Sequence, residues 1–303
     1  MIELLLNSII PVASIVLLGF VSTKLNFFNY KNGIILTQFV GKIGVPCLVI
    51  NIITSIEVSN LPWLLIFGYL VSEIIIFTLA ILIAHFFFKK DIIESIIIGM
   101  ASAFANHLFF VYPIAKFEYQ ENLVLPIIGV IGVDILFLVF TIFLLDTLNN
   151  TSNNLKLILF RQFKNPPLIG LIIGLFFVNT NFEMPIFFQR TITMVSDSAI
   201  PCGLFATGIF LSTKIEENML GISFLISFLK IFLHPLIAVF VIKLLFDISF
   251  ELSKTTIMVA AAPVGLMALT YSSTYGVRPE MISRAILITT FLSLITIPVA
   301  SSL

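Results

Sequence analysis

Ten times in 303 residues the chain runs with hardly a charge, nine times for more than twenty positions and once for 16, where a helix needs about twenty to cross a bilayer. These spans, numbered 1 to 10, fall near 3–23, 33–55, 62–88, 93–115, 122–146, 165–180, 186–212, 219–246, 254–275 and 280–301. A membrane β-barrel would instead show alternating segments of about ten residues. Apolar residues make up 59% of the chain and charged residues 11%, with 16 basic against 16 acidic groups, too few to coat a globule of this size. The sequence therefore predicts an all-α membrane protein. It excludes a soluble globule, a disordered chain and a nucleic-acid binder with a basic face. Cys47 and Cys202 both sit in apolar runs, and the three histidines are scattered, so neither a disulfide framework nor a metal site is expected.

The first span carries no basic region ahead of it, since Glu3 is its first charge, and no small-residue cleavage site follows, so it is expected to stay as a span. With ten spans the termini share a side. Ten basic residues, Lys89, Lys90, Lys156, Arg161, Lys164 and Lys214 among them, fall in one set of loops; only Lys116, Arg190, Lys243 and Lys254 fall in the other. Basic loops stay in the cytoplasm, which places the 147–163 linker inside and both termini outside. Heavy use of Ile, Phe, Lys and Asn suggests an AT-rich bacterial genome, and hence a bacterial cytoplasmic membrane.

Sliding the sequence on itself by about 155 positions superposes Pro11 on Pro166, Gly19 on Gly174, Pro46 on Pro201 and Cys47 on Cys202. The repeat is then 1–146 and 164–303, five spans each. Because five is odd, the second copy enters the membrane from the opposite face, an inverted repeat of the kind secondary transporters use to build a midplane site. The fourth span of each half is the weakest helix. Span 4 reads GMASAFANHLFFVYPIAKF, with Asn106, His107 and Pro113 at mid-depth; span 9 reads MVAAAPVGLMALTYSSTYG, with Pro263, Val264 and Gly265. Proline removes a backbone donor, and freed peptide groups at this depth are tolerated only against protein or a wet cavity. Half-helix N-termini there would present partial positive charge and bare N–H groups, so an anion is the expected guest. Pro46 and Pro201 mark further expected helix breaks.

Several stretches resemble the auxin efflux carrier family: PVGLMALTYSSTYGVRPE from Pro263 to Glu280, Asn106 with Pro113 seven residues on, IIPVASIVLLGFVSTKLNFF with LTQFVGKIGVPCLV, SDSAIPCGLFATGIFLS, and the closing ILITTFLSLITIPVASSL. The resemblance covers essentially the whole chain. It implies two inverted five-helix repeats with helices 4 and 9 crossing at their breaks, and a scaffold from spans 1, 2, 6 and 7. It further implies a mobile bundle from spans 3–5 and 8–10, and dimers through the scaffold. It also implies an organic-acid substrate, malonate- or malate-like in bacterial relatives and auxin in plants, held near Asn106, Pro113 and Pro263 to Gly265. Val264 departs from the amide that often follows the second proline in plant carriers, which weakens the match to an auxin-like substrate.

Ionisable groups inside spans cost about 2.5–3.5 kcal/mol on insertion scales and are functional candidates by default. Asp134, midway along span 5, suits a proton carrier or Na+ ligand, or a structural hydrogen bond. Glu73 and Lys230 occupy nearly equivalent repeat positions, either as an ion pair or with Lys230 neutralising the substrate. Asp197, just before Pro201, could face a sliding surface or cap a break. His107 adjoins Asn106 and could protonate near neutral pH. No nucleophile elbow, zinc-protease or phosphate-loop motif appears. The reading is a secondary active transporter of a small organic anion, not an enzyme, with no cofactor beyond a possible coupling proton or Na+. Its partners are the anion, membrane lipids and a second copy of the chain. An integral membrane receptor or enzyme, or an anion channel, using the same central pocket are the alternatives.

Overall fold

Backbone polar groups in hydrocarbon have to bond within their own segment, and the chain answers with helix nearly throughout. The computed structural model describes residues 2–149, 155–180, 182–212 and 220–303. Within them the sole extended pairing is an isolated antiparallel bridge, Ala105 to Val264. Residues 150–154 of the expected linker, and Lys214, lie outside the described residues.

Seven helices are long and apolar enough to cross a membrane: Leu6–Lys24, Tyr30–Thr54, Trp63–Phe87, Glu121–Asn149, Ile186–Leu211, Leu220–Leu245 and Glu280–Ser301. They coincide with seven of the ten expected spans. The other three fall short of that length. Span 6 forms Pro166–Asn179, started by Asn165, whose side chain accepts from the Leu168 N–H, and by the two prolines that follow. Span 4 divides into Ile92–Ala103 and a second piece from His107 to Glu118, and span 9 into Phe250–Ala260 and Leu266–Thr274.

Most prolines are absorbed without interrupting a helix. Pro11, Pro46, Pro113 and Pro235 each stand two residues after a π-helical turn, namely Leu5–Ile9, Val40–Gly44, His107–Val111 and Leu229–Leu233. In an α-helix the proline ring would strike the carbonyl four residues back, and the wider turn moves that carbonyl aside. Tyr30–Thr54 therefore runs on through Pro46, and Ile186–Leu211 runs on through Pro201 as plain α-helix. Pro113 likewise sits in the first turn of Tyr112–Glu118. Hydroxyls inside the helices return to their own backbone: Ser102 donates to Ile98, Thr141 to Phe137 and Thr207 to Gly203.

The chain packs as two units. The first comprises Met1–Val12, Pro62–Val130 and Thr213–Leu303; the second comprises Ala13–Leu61 and Ile131–Ser212. In the first, a Cβ on Gly99 would lie 2.8 Å from the Ile81 side chain and 3.0 Å from the Phe77 carbonyl, so Ile92–Ala103 lies hard against Trp63–Phe87. Ser8 donates to the Glu118 carboxylate at 3.0 Å, and Ser223 to the Met281 carbonyl at 2.9 Å. In the second unit, small residues likewise let helices approach closely. Gly19 lies against the Phe205 carbonyl, Gly208 against Val16, Gly174 against Ile53 and Gly170 against Pro46. Leu17, Phe67, Phe140, Phe176, Phe224 and Phe291 are each more than half exposed, faces suited to lipid.

Candidate functional site

The breaks of spans 4 and 9 meet inside the first unit. Ile92–Ala103 starts on Asp91, whose carboxylate accepts from the Glu94 N–H at 2.9 Å, and it ends at Phe104, which turns into an extended conformation. Phe250–Ala260 ends in the tight turn Ala261–Ala262, and proline then forbids continuation. The two extended stretches pair. The Asn106 N–H donates to the Pro263 carbonyl at 2.8 Å, and the Gly265 N–H donates to the Phe104 carbonyl at 3.0 Å. Gly265 is required by proximity, because a Cβ there would stand 3.0 Å from the Ala105 carbonyl oxygen.

From this pair two second half-helices set out, one at His107 and one at Leu266. Neither Asn106 nor Gly265 supplies a side-chain cap, so the first-turn N–H groups of both half-helices are left without one. Asn106 as a residue is only 5% exposed, and its side-chain amide does not cap the half-helix that follows it. The His107 ring is also buried, and its Nδ1 lies 3.1 Å from the Ala105 carbonyl. A carbonyl only accepts, so Nδ1–H is the donor of that contact.

The sequence-predicted residues thus divide. Asn106, His107, Pro263, Val264 and Gly265 come together at the crossing. Pro113 stands beyond it, in the turn that steadies the outgoing half-helix. Glu73 and Lys230, both fully buried, belong to the same unit. Lys230 Nζ donates to the Ala260 carbonyl at 3.0 Å and lies 3.0 Å from His234 Nδ1, so its ammonium sits at the carbonyl end of the first span-9 half-helix. Asp134, Asp197, Pro46 and Pro201 belong to the second unit. Asp134 is buried there within Glu121–Asn149, and Asp197 is exposed on Ile186–Leu211.

Two residues at the crossing escaped the sequence reading. Thr289 accepts from the Val264 N–H at 3.1 Å, and Thr296 donates to the Ala261 carbonyl at 2.9 Å. The available signal was the spacing of Thr289, Ser293 and Thr296, which puts three hydroxyls on one face of the last helix.

Membrane-length helices that enclose an interrupted, backbone-paired crossing define a multi-pass helical membrane protein of the transporter class. The chain belongs to the auxin efflux carrier family: the model for that family, described as "Membrane transport protein", matches residues 4–301. A protein of Rhizobium meliloti (strain 1021) named "Putative malonate transporter" is 22% identical over 296 residues, covering 95% of this chain and 92% of the relative. An "Uncharacterized transporter" of Methanothermobacter thermautotrophicus is 22% identical over 300 residues, covering 97% of each. The "Probable auxin efflux carrier component 1c" of Oryza sativa subsp. japonica is 27% identical over 133 residues, covering 44% of this chain and 22% of the relative. The protein is therefore a membrane transporter and not an enzyme, with a small-molecule substrate and a lipid environment.

Proposed function

We propose that this protein is a secondary active transporter of a small organic anion, a mono- or dicarboxylate of the malonate or malate kind, in a bacterial cytoplasmic membrane. One observation carries the reading. A largely buried asparagine, Asn106, stands where two half-helices begin without a side-chain cap. A carboxylate offers several acceptor sites and negative charge, which matches N–H donors at a positive helix end. The name of the Rhizobium relative makes malonate the first acid to try.

The architecture that goes with this reading is ten spans in two inverted repeats, 1–146 and 164–303, joined by the 147–163 linker, with both termini outside. Matched details support the repeat. Gly19 on span 1 meets Gly208 on span 7, while Gly174, its counterpart on span 6, meets Ile53 on span 2. Spans 3 and 8 also end alike, each in a π-turn followed by a left-handed residue, Lys89 (φ 52°) and Asp247 (φ 51°). Transport runs by alternating access of the elevator type, with the crossing travelling in the first unit. Asp134 is the foremost candidate for coupling to a proton or Na+, with Glu73, Lys230 and Asp197 behind it, and the dimer forms through spans 1, 2, 6 and 7.

The test is counterflow in proteoliposomes loaded with a panel of organic acids, comparing wild type with Asn106→Ala. Saturable exchange of one acid, lost in the variant, is the expected result. Exchange that survives in Asn106→Ala moves the site away from the crossing. Folded wild-type protein that exchanges no acid overturns the anion reading.

A further inference from the structure

The break in span 9 frees a run of backbone groups deep in the first unit, and side chains from two other helices meet them. The Ala260 carbonyl takes the Lys230 ammonium at 3.0 Å, and the Ala261 carbonyl takes the Thr296 hydroxyl at 2.9 Å. The Val264 N–H gives its hydrogen to Thr289 Oγ1 at 3.1 Å, and that hydroxyl passes its own hydrogen to the Ala285 carbonyl at 2.7 Å. Lys230, Thr289 and Val264 are fully buried, so water cannot replace the bonds at Ala260 and Val264. The stretch so fixed, Ala260 to Val264, includes the Pro263 carbonyl that receives the Asn106 N–H, and it delivers the chain to Gly265, where the second half-helix begins.

We propose that Lys230, Thr289 and Thr296 are positioning residues of the transport site. They form a three-point clamp that holds the span-9 strand in register with Asn106, so that the amide and the half-helix N-termini face one guest together. That such a guest binds at the crossing rests on the function proposed above; the clamp itself rests on the hydrogen bonds. The clamp gives Lys230 a structural part, its ammonium being held by the Ala260 carbonyl with His234 Nδ1 beside it. Thr289 is its most diagnostic member, since one hydroxyl both accepts from the strand and donates to its own helix. Serine can do both, and valine, of the same shape, can do neither.

The experiment compares Thr289→Val and Thr289→Ser with wild type in the full chain. Amide exchange of the peptide spanning 261–266 reads the clamp without substrate. Counterflow of whichever acid the wild type exchanges reads half-saturation and maximal rate separately. Thr289→Val should speed exchange of that peptide about tenfold or more, in keeping with a buried donor left unmet, while Phe250–Ala260 stays protected. Half-saturation should rise by a similar factor and the maximal rate change less, with Thr289→Ser close to wild type in both. Wild-type exchange and half-saturation in a folded Thr289→Val overturn the clamp, as does equal damage in the valine and serine variants. If Thr289→Val does not fold, Thr296→Val is judged by the same peptide and the same criteria. A wild type that moves no acid sinks the function reading, and amide exchange still decides the clamp.

Discussion

Gly265→Ala should damage transport far more than it damages folding. The residue has φ −73° and ψ 149°, a conformation any residue adopts, so alanine brings no backbone strain. What it brings is a methyl carbon 3.0 Å from the Ala105 carbonyl oxygen, 3.3 Å from its carbon and 3.4 Å from the Phe104 oxygen. A carbon and a carbonyl oxygen settle at about 3.3–3.6 Å, so the two strands must part by roughly 0.3–0.6 Å. That displacement stretches the bonds at 2.8 Å and 3.0 Å that join Asn106 to Pro263 and Gly265 to Phe104. Each is worth about 1 kcal/mol net, so the crossing loses on the order of 1–2 kcal/mol, a factor of roughly five to thirty. Against this, losing a glycine from the unfolded chain returns about 0.4–1 kcal/mol to overall stability.

Counterflow half-saturation should therefore rise about five- to thirtyfold while the apparent melting temperature moves by only a few degrees. Two other glycines bracket the result. A Cβ on Gly41, in the Val40–Gly44 turn, meets nothing within 4 Å, so Gly41→Ala should leave half-saturation unchanged and raise the melting temperature by a few degrees at most. A Cβ on Gly208 would run into the Val16 carbonyl, so Gly208→Ala should unfold or fail to express. Wild-type half-saturation in Gly265→Ala would refute the reasoning, because the strands would then have room the distances deny. A collapse of stability matching Gly208→Ala would refute it from the other side.

Lys230→Met leaves a buried carbonyl and the His234 Nδ1 without their donor, at about 1–3 kcal/mol for each, and should lower the apparent melting temperature by several degrees; an unchanged melting curve contradicts this. Asp134→Asn should abolish uptake driven by a proton or Na+ gradient and spare counterflow, and gradient-driven uptake at the wild-type rate removes Asp134 from coupling. Lys90, just ahead of the Ile92–Ala103 helix, and Glu94 in its first turn form a part-exposed pair at 2.8 Å, worth about 0.2–1 kcal/mol. Glu94→Ala should leave transport untouched and shift the melting temperature by about a degree, whereas a large loss of transport would show that the pair does more than close a turn.

The spans were legible because their signal is local: an apolar run of sufficient length carries its own meaning in a bilayer. The crossing was legible for a related reason, since an amide such as Asn106 is costly in hydrocarbon and Pro263 and Gly265 stand two residues apart in one span. Proline by itself was a poor guide to interruption. Pro46, Pro113 and Pro235 all follow a π-turn that clears the offending carbonyl, while Pro263 ends its helix. The difference lies in what can receive the freed backbone. Where one helix closes over the gap by winding wider, the chain continues. Where a second broken strand offers the Phe104 carbonyl and the Asn106 N–H, and Thr289 and Thr296 stand opposite, the chain can remain extended. Those partners come from helices remote in sequence, so no window of neighbouring residues contains them. Asn106 was found because an amide is unusual at depth, and Gly265 because it follows Pro263 by two residues. Thr289 and Thr296 were missed because a threonine in a membrane helix ordinarily bonds to its own backbone, as Thr207 does, and only the structure shows which hydroxyls also serve another strand.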